Sequence, residues 1–154
     1  MDYLSVSHDF CLINRRSQAY VTEACQPWGL SYSEYTLLMN LYENNGCQQT
    51  DICRALKADK ALVARTLKSL EGKGFVSRRQ EGKDKRCKYI FLTKKARDLK
   101  ETMDVILRKW VGMIVAGIDE KALDEAFRLL HCVAENAAAV NVSEINPTKE
   151  MKKL

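Results

Sequence analysis

The sequence has few of the residues that metal centres, secretion and membrane insertion require. It contains two histidines and six cysteines, and no cysteines form a C-x-x-C pair or follow zinc-finger spacing. No apolar run approaches the ~18 residues that a membrane-spanning helix needs. The N-terminal stretch MDYLSVSHDF lacks the basic and apolar regions of a secretion signal. We therefore expect a cytoplasmic protein with reduced thiols, without a metal or a cofactor, and not bound to a membrane.

The positive charge of the chain is unevenly distributed. Its formal net charge is +5, and the excess lies mainly between Lys57 and Arg97. Such an excess fits a polyanionic partner, although its location says more than its size. Enzyme signatures are missing from the sequence, which has no glycine-rich phosphate loop, no histidine-centred triad and no pair of acids in a plausible cleft. The sequence therefore indicates binding and not catalysis.

Helical periodicity and capping residues predict a helical chain interrupted by one hairpin. Ser31 and Glu34 form a capping box that starts the second helix at Tyr32. The apolar residues expected to face the core at helical spacing are Leu37, Leu38, Leu41, Ile52, Cys53, Leu56, Val63, Leu67 and Leu70. The expected elements are a helix over about 7–25, the helix from Tyr32, a short helix over about 49–56, a helix capped by Asp59, strands over 75–80 and 87–93, a helix capped by Thr93 and a last helix capped by Asp119.

The fourth helix and the hairpin carry the functional pattern. A 100° wheel places Ala61, Ala64, Arg65 and Lys68 opposite the apolar side of that helix. Small side chains let a helix approach the bases in a major groove, and a basic hairpin tip can lie along the adjacent backbone or minor groove. The fold class is therefore mainly α with a small β-wing (α+β), built around a winged helix-turn-helix domain. The expected partner is double-stranded DNA.

A longer stretch, DKALVARTLKSLEGKGFVSRRQEGKDKRCKYIFLT, resembles the core of the MarR family of transcriptional regulators. The matching features are Asp59-Lys60, Val63, Arg65, LEGKGFV, Arg78, the Asp84-x-Arg86 pair and Leu92-Thr93. The resemblance covers about residues 5–140. It implies a homodimeric regulator, expected to be a repressor, that binds a pseudo-palindromic operator and is released by a small aromatic effector.

The resemblance also assigns roles to single residues. It implies that Asp84 stiffens the wing by pairing with an arginine and that Arg86 enters the minor groove. Lys83 and Lys85 are expected to contact phosphates, and Arg65 a base or a phosphate. The full set of expected DNA-binding residues is Lys60, Ala61, Leu62, Ala64, Arg65, Lys68, Arg78, Arg79, Lys83, Asp84, Lys85 and Arg86.

Three of these residues depart from the family pattern. Ala61, Leu62 and Ala64 lack the hydroxyl groups that are frequent there, which favours contact with thymine methyl groups over hydrogen bonding.

Four parts are expected along the chain. Residues 1–30 contribute a helix to the dimerisation region, 31–93 form the winged helix-turn-helix domain, 94–140 supply the C-terminal dimerisation helices, and 141–154 form a flexible tail. The helices after residue 93 carry wide apolar faces that need a partner, which supports a dimer independently of the resemblance.

Small aromatic acids are the effectors that the resemblance implies, bound between the dimer base and the winged domain. Family pockets often use a basic residue of the first helix and a tyrosine at the start of the second. The matching positions are Arg15 and Tyr32, with Arg16 and Tyr20 nearby.

Two alternatives stay open. Some members of the family sense peroxides through a cysteine of the first helix. Cys11 lies about one turn from that position, so we expect it to be a small buried hydrophobe, while Cys11 and Cys87 remain candidates for redox sensing. The other alternative is a winged-helix module that binds protein and never DNA, against which the basic wing argues.

Overall fold

The computed structural model of the protein describes residues 2–80 and 88–141. A single 3₁₀ turn, Gln26–Trp28, separates the first two helices. The elements of the described chain are α1 (Tyr3–Ala24), α2 (Tyr32–Glu43), β1 (Cys47–Gln48), α3 (Gln49–Leu56), α4 (Lys60–Gly72), β2 (Val76–Gln80), β3 (Lys88–Leu92), α5 (Lys94–Ile114) and α6 (Glu120–Ala139). They fall into two compact units, with the boundary between Ile114 and Val115.

Helix α1 begins earlier than the sequence predicts. The expected start near residue 7 is wrong because Asp2 acts as the N-cap. Its carboxylate accepts hydrogen bonds from the backbone N–H groups of Leu4 and Ser5 at 3.1 and 3.2 Å. These bonds satisfy donors that a helix start leaves without intrahelical partners. The other predicted helix starts, from Tyr32 to Glu120, are confirmed, and so is the capping box of α2.

One hydrophobic core holds the first unit together. Helices α2, α4 and α5 and the sheet all contribute fully buried side chains, such as Leu38, Leu67, Met103 and Ile90. The predicted inward faces of α2 and α4 are confirmed, while in α3 only Ile52 is fully buried and Cys53 and Leu56 pack at the margin. A fully buried leucine of this kind stabilises the fold by about 1.5–3 kcal/mol.

The sheet has three antiparallel strands in the order β1-β3-β2. The hairpin strands β2 and β3 are the predicted ones, and their register runs from Val76 opposite Leu92 to Gln80 opposite Lys88. Strand β1 was not predicted, since a two-residue strand has no detectable periodicity. It pairs with the middle of β3 and joins the hairpin to the N-terminus of α3.

Thr93 joins the sheet to α5. Its backbone N–H donates to the carbonyl of Phe75 at 3.0 Å, and its hydroxyl donates to the carbonyl of Gly74 at 2.7 Å. The same hydroxyl accepts the N–H of Ala96 at 3.4 Å and so caps α5, as predicted. Strand β3 therefore passes into α5 through a single residue that is bonded on both sides.

Helix α6 is the only helix of the second unit in the described residues. Asp119 caps it, as predicted, by accepting the N–H groups of Lys121 and Ala122. Its large apolar side chains remain about half exposed in the single chain: Phe127, Leu129, Leu130 and Val133. Across the described residues, no helix combines the length and the apolarity that crossing a membrane requires.

A buried ion pair fixes α2 against the end of α4. The Glu34 carboxylate is 4% exposed and lies in the first turn of α2. The Nζ atom of Lys73, the C-cap of α4, donates to both Glu34 oxygens at 2.7 Å and to the Gly29 carbonyl at 2.6 Å. A carboxylate this deeply buried is tolerated only when it is paired and hydrogen-bonded.

The pKa of the Glu34 carboxyl is lowered from its usual value. Burial by itself raises this pKa, but hydrogen bonds from Lys73, from the Ser31 backbone and from the side chains of Ser69 and Ser31 outweigh it. Because the folded-state pKa lies below the unfolded one, the pair contributes stability above about pH 4.5. That contribution is lost as the pH falls through the folded-state pKa.

Replacing Lys73 with methionine tests this pair. We expect the free energy of unfolding at pH 7 to fall by about 2 kcal/mol, because the buried carboxylate loses its charged donor. In the variant, burial of Glu34 is no longer offset by Lys73 and raises the pKa of its carboxyl. The difference in the free energy of unfolding between variant and wild type should therefore become smaller at acidic pH. Urea denaturation at pH 7 and pH 4 measures both effects.

The control for this experiment is Lys94→Met, which removes an exposed pair with Asp98. Exposed pairs contribute little, so the control should change stability by less than about 0.5 kcal/mol. Equal losses in the two variants would contradict a special role for the buried pair.

Candidate nucleic-acid interface

Helix α4 presents one apolar and one polar side, as the sequence predicts. Val63, Thr66, Leu67 and Leu70 are buried. The residues predicted to bind DNA lie on the other side: Lys60, Ala61, Leu62, Arg65 and Lys68 are exposed, and Ala64 is half-buried. Leu62 is 38% exposed, an apolar side chain among polar ones. The outer side of α4 is thus cationic, and near the N-terminus of the helix it also carries small side chains.

A three-residue turn between α3 and α4 orients this surface. Lys57 adopts a left-handed conformation with φ 48°, which reverses the chain after α3. Asp59 then caps α4 by accepting the N–H of Leu62 at 2.8 Å. The Gln49 amide donates to the Lys60 carbonyl at 3.4 Å and links the N-termini of the two helices. These local bonds fix α3 and α4 as a helix-turn-helix.

The C-terminal end of α4 sets where the hairpin begins. Gly74 has φ 76°, and its N–H donates to the Glu71 carbonyl while the N–H of Phe75 donates to that of Leu70. This pair of bonds is the Schellman motif, which ends a helix with a left-handed residue. Phe75 and Leu70, which flank the motif, are both fully buried. The predicted left-handed role of Gly74 is therefore confirmed.

The base of the hairpin is cationic and partly fixed. The Nε atom of Arg78 lies 3.2 Å from a Glu71 carboxylate oxygen of α4. The guanidinium of Arg79 lies 5.2 Å from the centre of the Phe91 ring. Lys88 is exposed at the start of β3. The predicted residues Lys83, Asp84, Lys85, Arg86 and Cys87 lie outside the described residues.

The residues predicted to bind an effector are not all in one place. Tyr20 stacks on Trp110 with ring centres 5.2 Å apart, and Arg15 and Arg16 are exposed on α1. Tyr32 instead lines an apolar cleft of about 200 Å³ between α2, the α3–α4 turn and α4. None of the three α1 residues lines that cleft.

The cysteines differ in exposure. Cys11 is exposed in the single chain, so the expectation that it is a buried hydrophobe was wrong there, because nothing in the first unit packs on that part of α1. Burial raises the pKa of the Cys25 and Cys47 thiols, which makes both poor nucleophiles. Within residues 2–80 and 88–141, no cluster of three histidine, cysteine or acidic residues could hold a metal ion.

A helix-turn-helix followed by an antiparallel hairpin defines a winged helix-turn-helix protein. Residues 30–88, which span α2 to the start of β3, match the model of the MarR family. The HTH-type transcriptional regulator BilQ of Clostridioides difficile (strain CD3) is 25% identical over 140 residues, which cover 91% of this chain and 95% of that protein. Residues 30–88 therefore form a MarR-family domain.

Solved structures show the same fold. A MarR transcriptional regulator from Methanosarcina mazei Go1 superposes with a TM-score of 0.81 and 28% identity, over 86% of this chain and 95% of that one. A MarR family regulator from Listeria monocytogenes, solved in complex with a 26-mer DNA, gives a TM-score of 0.81 at 24% identity, over 90% of each chain.

Two glycines of α4 and its C-terminal turn test how the hairpin is positioned. A Cβ would meet no atom within 4 Å at either Gly72 or Gly74, but only Gly74 has a positive φ. Gly74→Ala should therefore destabilise the protein by about 1–2 kcal/mol through backbone strain alone. Gly72→Ala should be neutral or stabilising by about 0.5 kcal/mol. Thermal and urea unfolding measure both, and equal effects would refute the left-handed requirement.

Proposed function

We propose that this protein binds duplex DNA as a homodimer and represses transcription until a small molecule releases it. The N-terminal half of α4 lies in the major groove, and the basic hairpin contacts the neighbouring backbone or minor groove. The observation that carries this proposal is the outer side of α4. There Lys60, Arg65 and Lys68 are exposed around small side chains, on a helix whose other side is locked into the core.

The contacts divide by their chemistry. Arg65 and the apolar Ala61 and Leu62 face base edges, and the lysines face phosphates. On the hairpin, Arg79 and Lys88 extend the cationic surface from α4. Lys83, Asp84, Lys85 and Arg86 lie outside the described residues, and the phosphate, pairing and minor-groove roles that the resemblance implies for them stay predictions.

The homodimer rests on apolar side chains that the single chain leaves exposed. On α1, Leu4, Phe10 and Ile13 are about half exposed or more, and α6 carries the half-exposed stripe of Phe127, Leu130 and Val133. A folded monomer rarely exposes this many large apolar side chains on its helices. Two-fold pairing of such helices buries it and places two copies of α4 for two half-sites.

Release by an effector is supported by where Tyr32 lies. The cleft that it lines is mostly apolar and is bounded by Leu62 and Val63 of α4. A small aromatic molecule that contacts Tyr32 therefore lies beside the helix that binds DNA. Arg15 and Arg16 lie on α1 and do not line this cleft, so their role toward an acidic group of the effector stays a prediction. Oxidation of Cys11 is the second route to release, because that thiol is exposed.

Arg65→Ala tests the DNA-binding surface. The duplex is the region upstream of the protein's own gene, and affinity is measured by fluorescence anisotropy. We expect about a tenfold loss, because a side chain facing a base edge contributes about 1–3 kcal/mol. Lys109→Ala, an exposed residue of α5 outside the proposed surface, should bind like the wild type. The proposal is wrong if Arg65→Ala has no effect.

The salt dependence of binding gives a second test on the same duplex. Six to ten phosphate contacts predict an affinity loss of ~10³-fold or more between 50 and 200 mM salt. A flat response, or no binding at the lowest salt, would remove the DNA-binding function and favour a winged-helix module that binds protein.

Leu130→Glu tests the dimer. A charge in the apolar stripe of α6 cannot be buried cheaply, so the variant should elute and scatter light as a monomer. His131→Glu, next to it on the same exposed helix, serves as the control and should stay dimeric. A wild type that is monomeric at micromolar concentration would contradict the homodimer directly.

A further inference from the structure

Arg78 lines a groove at the base of the hairpin, beside the end of α4. The groove holds about 490 Å³ between the C-terminal end of α4 and the base of the hairpin, and it is lined by Glu71, Arg78, Arg79, Gln80 and Lys88. Three of these five side chains are cationic, and one, Glu71, is anionic. A groove of this size and sign suits one backbone phosphate of a duplex.

The contact between Glu71 and Arg78 is buried on the arginine side only. The Arg78 side chain is 28% exposed and that of Glu71 is 43% exposed, and Glu71 approaches Nε of Arg78 at 3.2 Å. That Nε atom is shut off from solvent and has no hydrogen-bond partner among the described residues, so charge attraction holds it. Because Glu71 engages the guanidinium at Nε, the Nη atoms are the part that can meet an occupant of the groove.

We propose that this groove binds a DNA backbone phosphate through Arg78 and that Glu71 is the positioning residue that aims the arginine. The inference rests on the proposed DNA-binding function. Glu71 belongs to the last turn of α4, so its carboxylate links that helix to the guanidinium on the hairpin strand. Arg79 and Lys88 supply the surrounding positive potential.

The direction in which one mutation changes DNA affinity distinguishes this positioning role from a simple effect of net charge. Removing an anion from a DNA-binding surface strengthens binding if only the net charge matters. We expect Glu71→Ala to weaken binding about threefold instead, because Arg78 is released. About threefold is half, in free energy, of the tenfold loss expected when the phosphate contact is removed altogether. The loss should be the same for the upstream duplex and for a random duplex of equal length, since phosphates carry no sequence information.

A double-mutant cycle identifies the path of the effect. Arg78→Ala should lower affinity about tenfold and reduce the slope of log affinity against log salt by about 1. In the Arg78→Ala background, Glu71→Ala should then have no further weakening effect. Circular dichroism melting confirms that each variant is folded, and Arg54→Ala, which removes an exposed pair with Asp51, is the matched control.

Distinct outcomes overturn distinct claims. Wild-type protein that fails to bind either duplex refutes the proposed function itself. Wild-type binding with tighter or unchanged binding by Glu71→Ala refutes the positioning role alone. A weakening by Glu71→Ala that persists in the Arg78→Ala background shows that Glu71 does not act through Arg78, and an unchanged salt slope in Arg78→Ala removes the phosphate from the groove.

Discussion

The pairing of Glu34 with Lys73 is the constraint on which the placement of α4 depends. A carboxylate buried to 4% exposure must keep a charged donor, and Lys73 is that donor. Since Glu34 lies in the first turn of α2 and Lys73 caps the end of α4, the two helices have little freedom to slide past each other. A core of leucines alone would tolerate several orientations of α2 against α4. The need of the Glu34 carboxylate for a charged donor selects one of them.

After Lys73 the chain passes directly from α4 into the hairpin. Gly74 turns it through the left-handed region, Phe75 enters the core, and β2 begins at Val76. Glu71, one turn before, reaches Arg78 three residues into the hairpin. The helix that carries Arg65 and the strand that carries Arg78 are therefore one stereochemical unit, which lies within the residues that match the MarR family model.

Capping residues and helical periodicity predicted most of the fold. Contacts between residues far apart in the sequence could not be predicted from such local signals. Ser31 with Glu34, Asp59 and Asp119 mark helix starts because capping is a matter of neighbouring residues. Asp2 was overlooked because the residues after it remain exposed and show no inward face. The ion pair of Glu34 joins residues 39 positions apart, and nothing in their spacing reveals it. In the site, the helical wheel found the outer side of α4, but Glu71 and Lys88 became candidates only once the groove was visible.

Thr93 has a mechanical consequence for signalling. It bonds to the carbonyls of Gly74 and Phe75 on one side and caps α5 on the other, so no compliant hinge lies between strand and helix. We therefore expect a rotation of α5 about its long axis to move β3 with it, without unfolding of the junction between strand and helix.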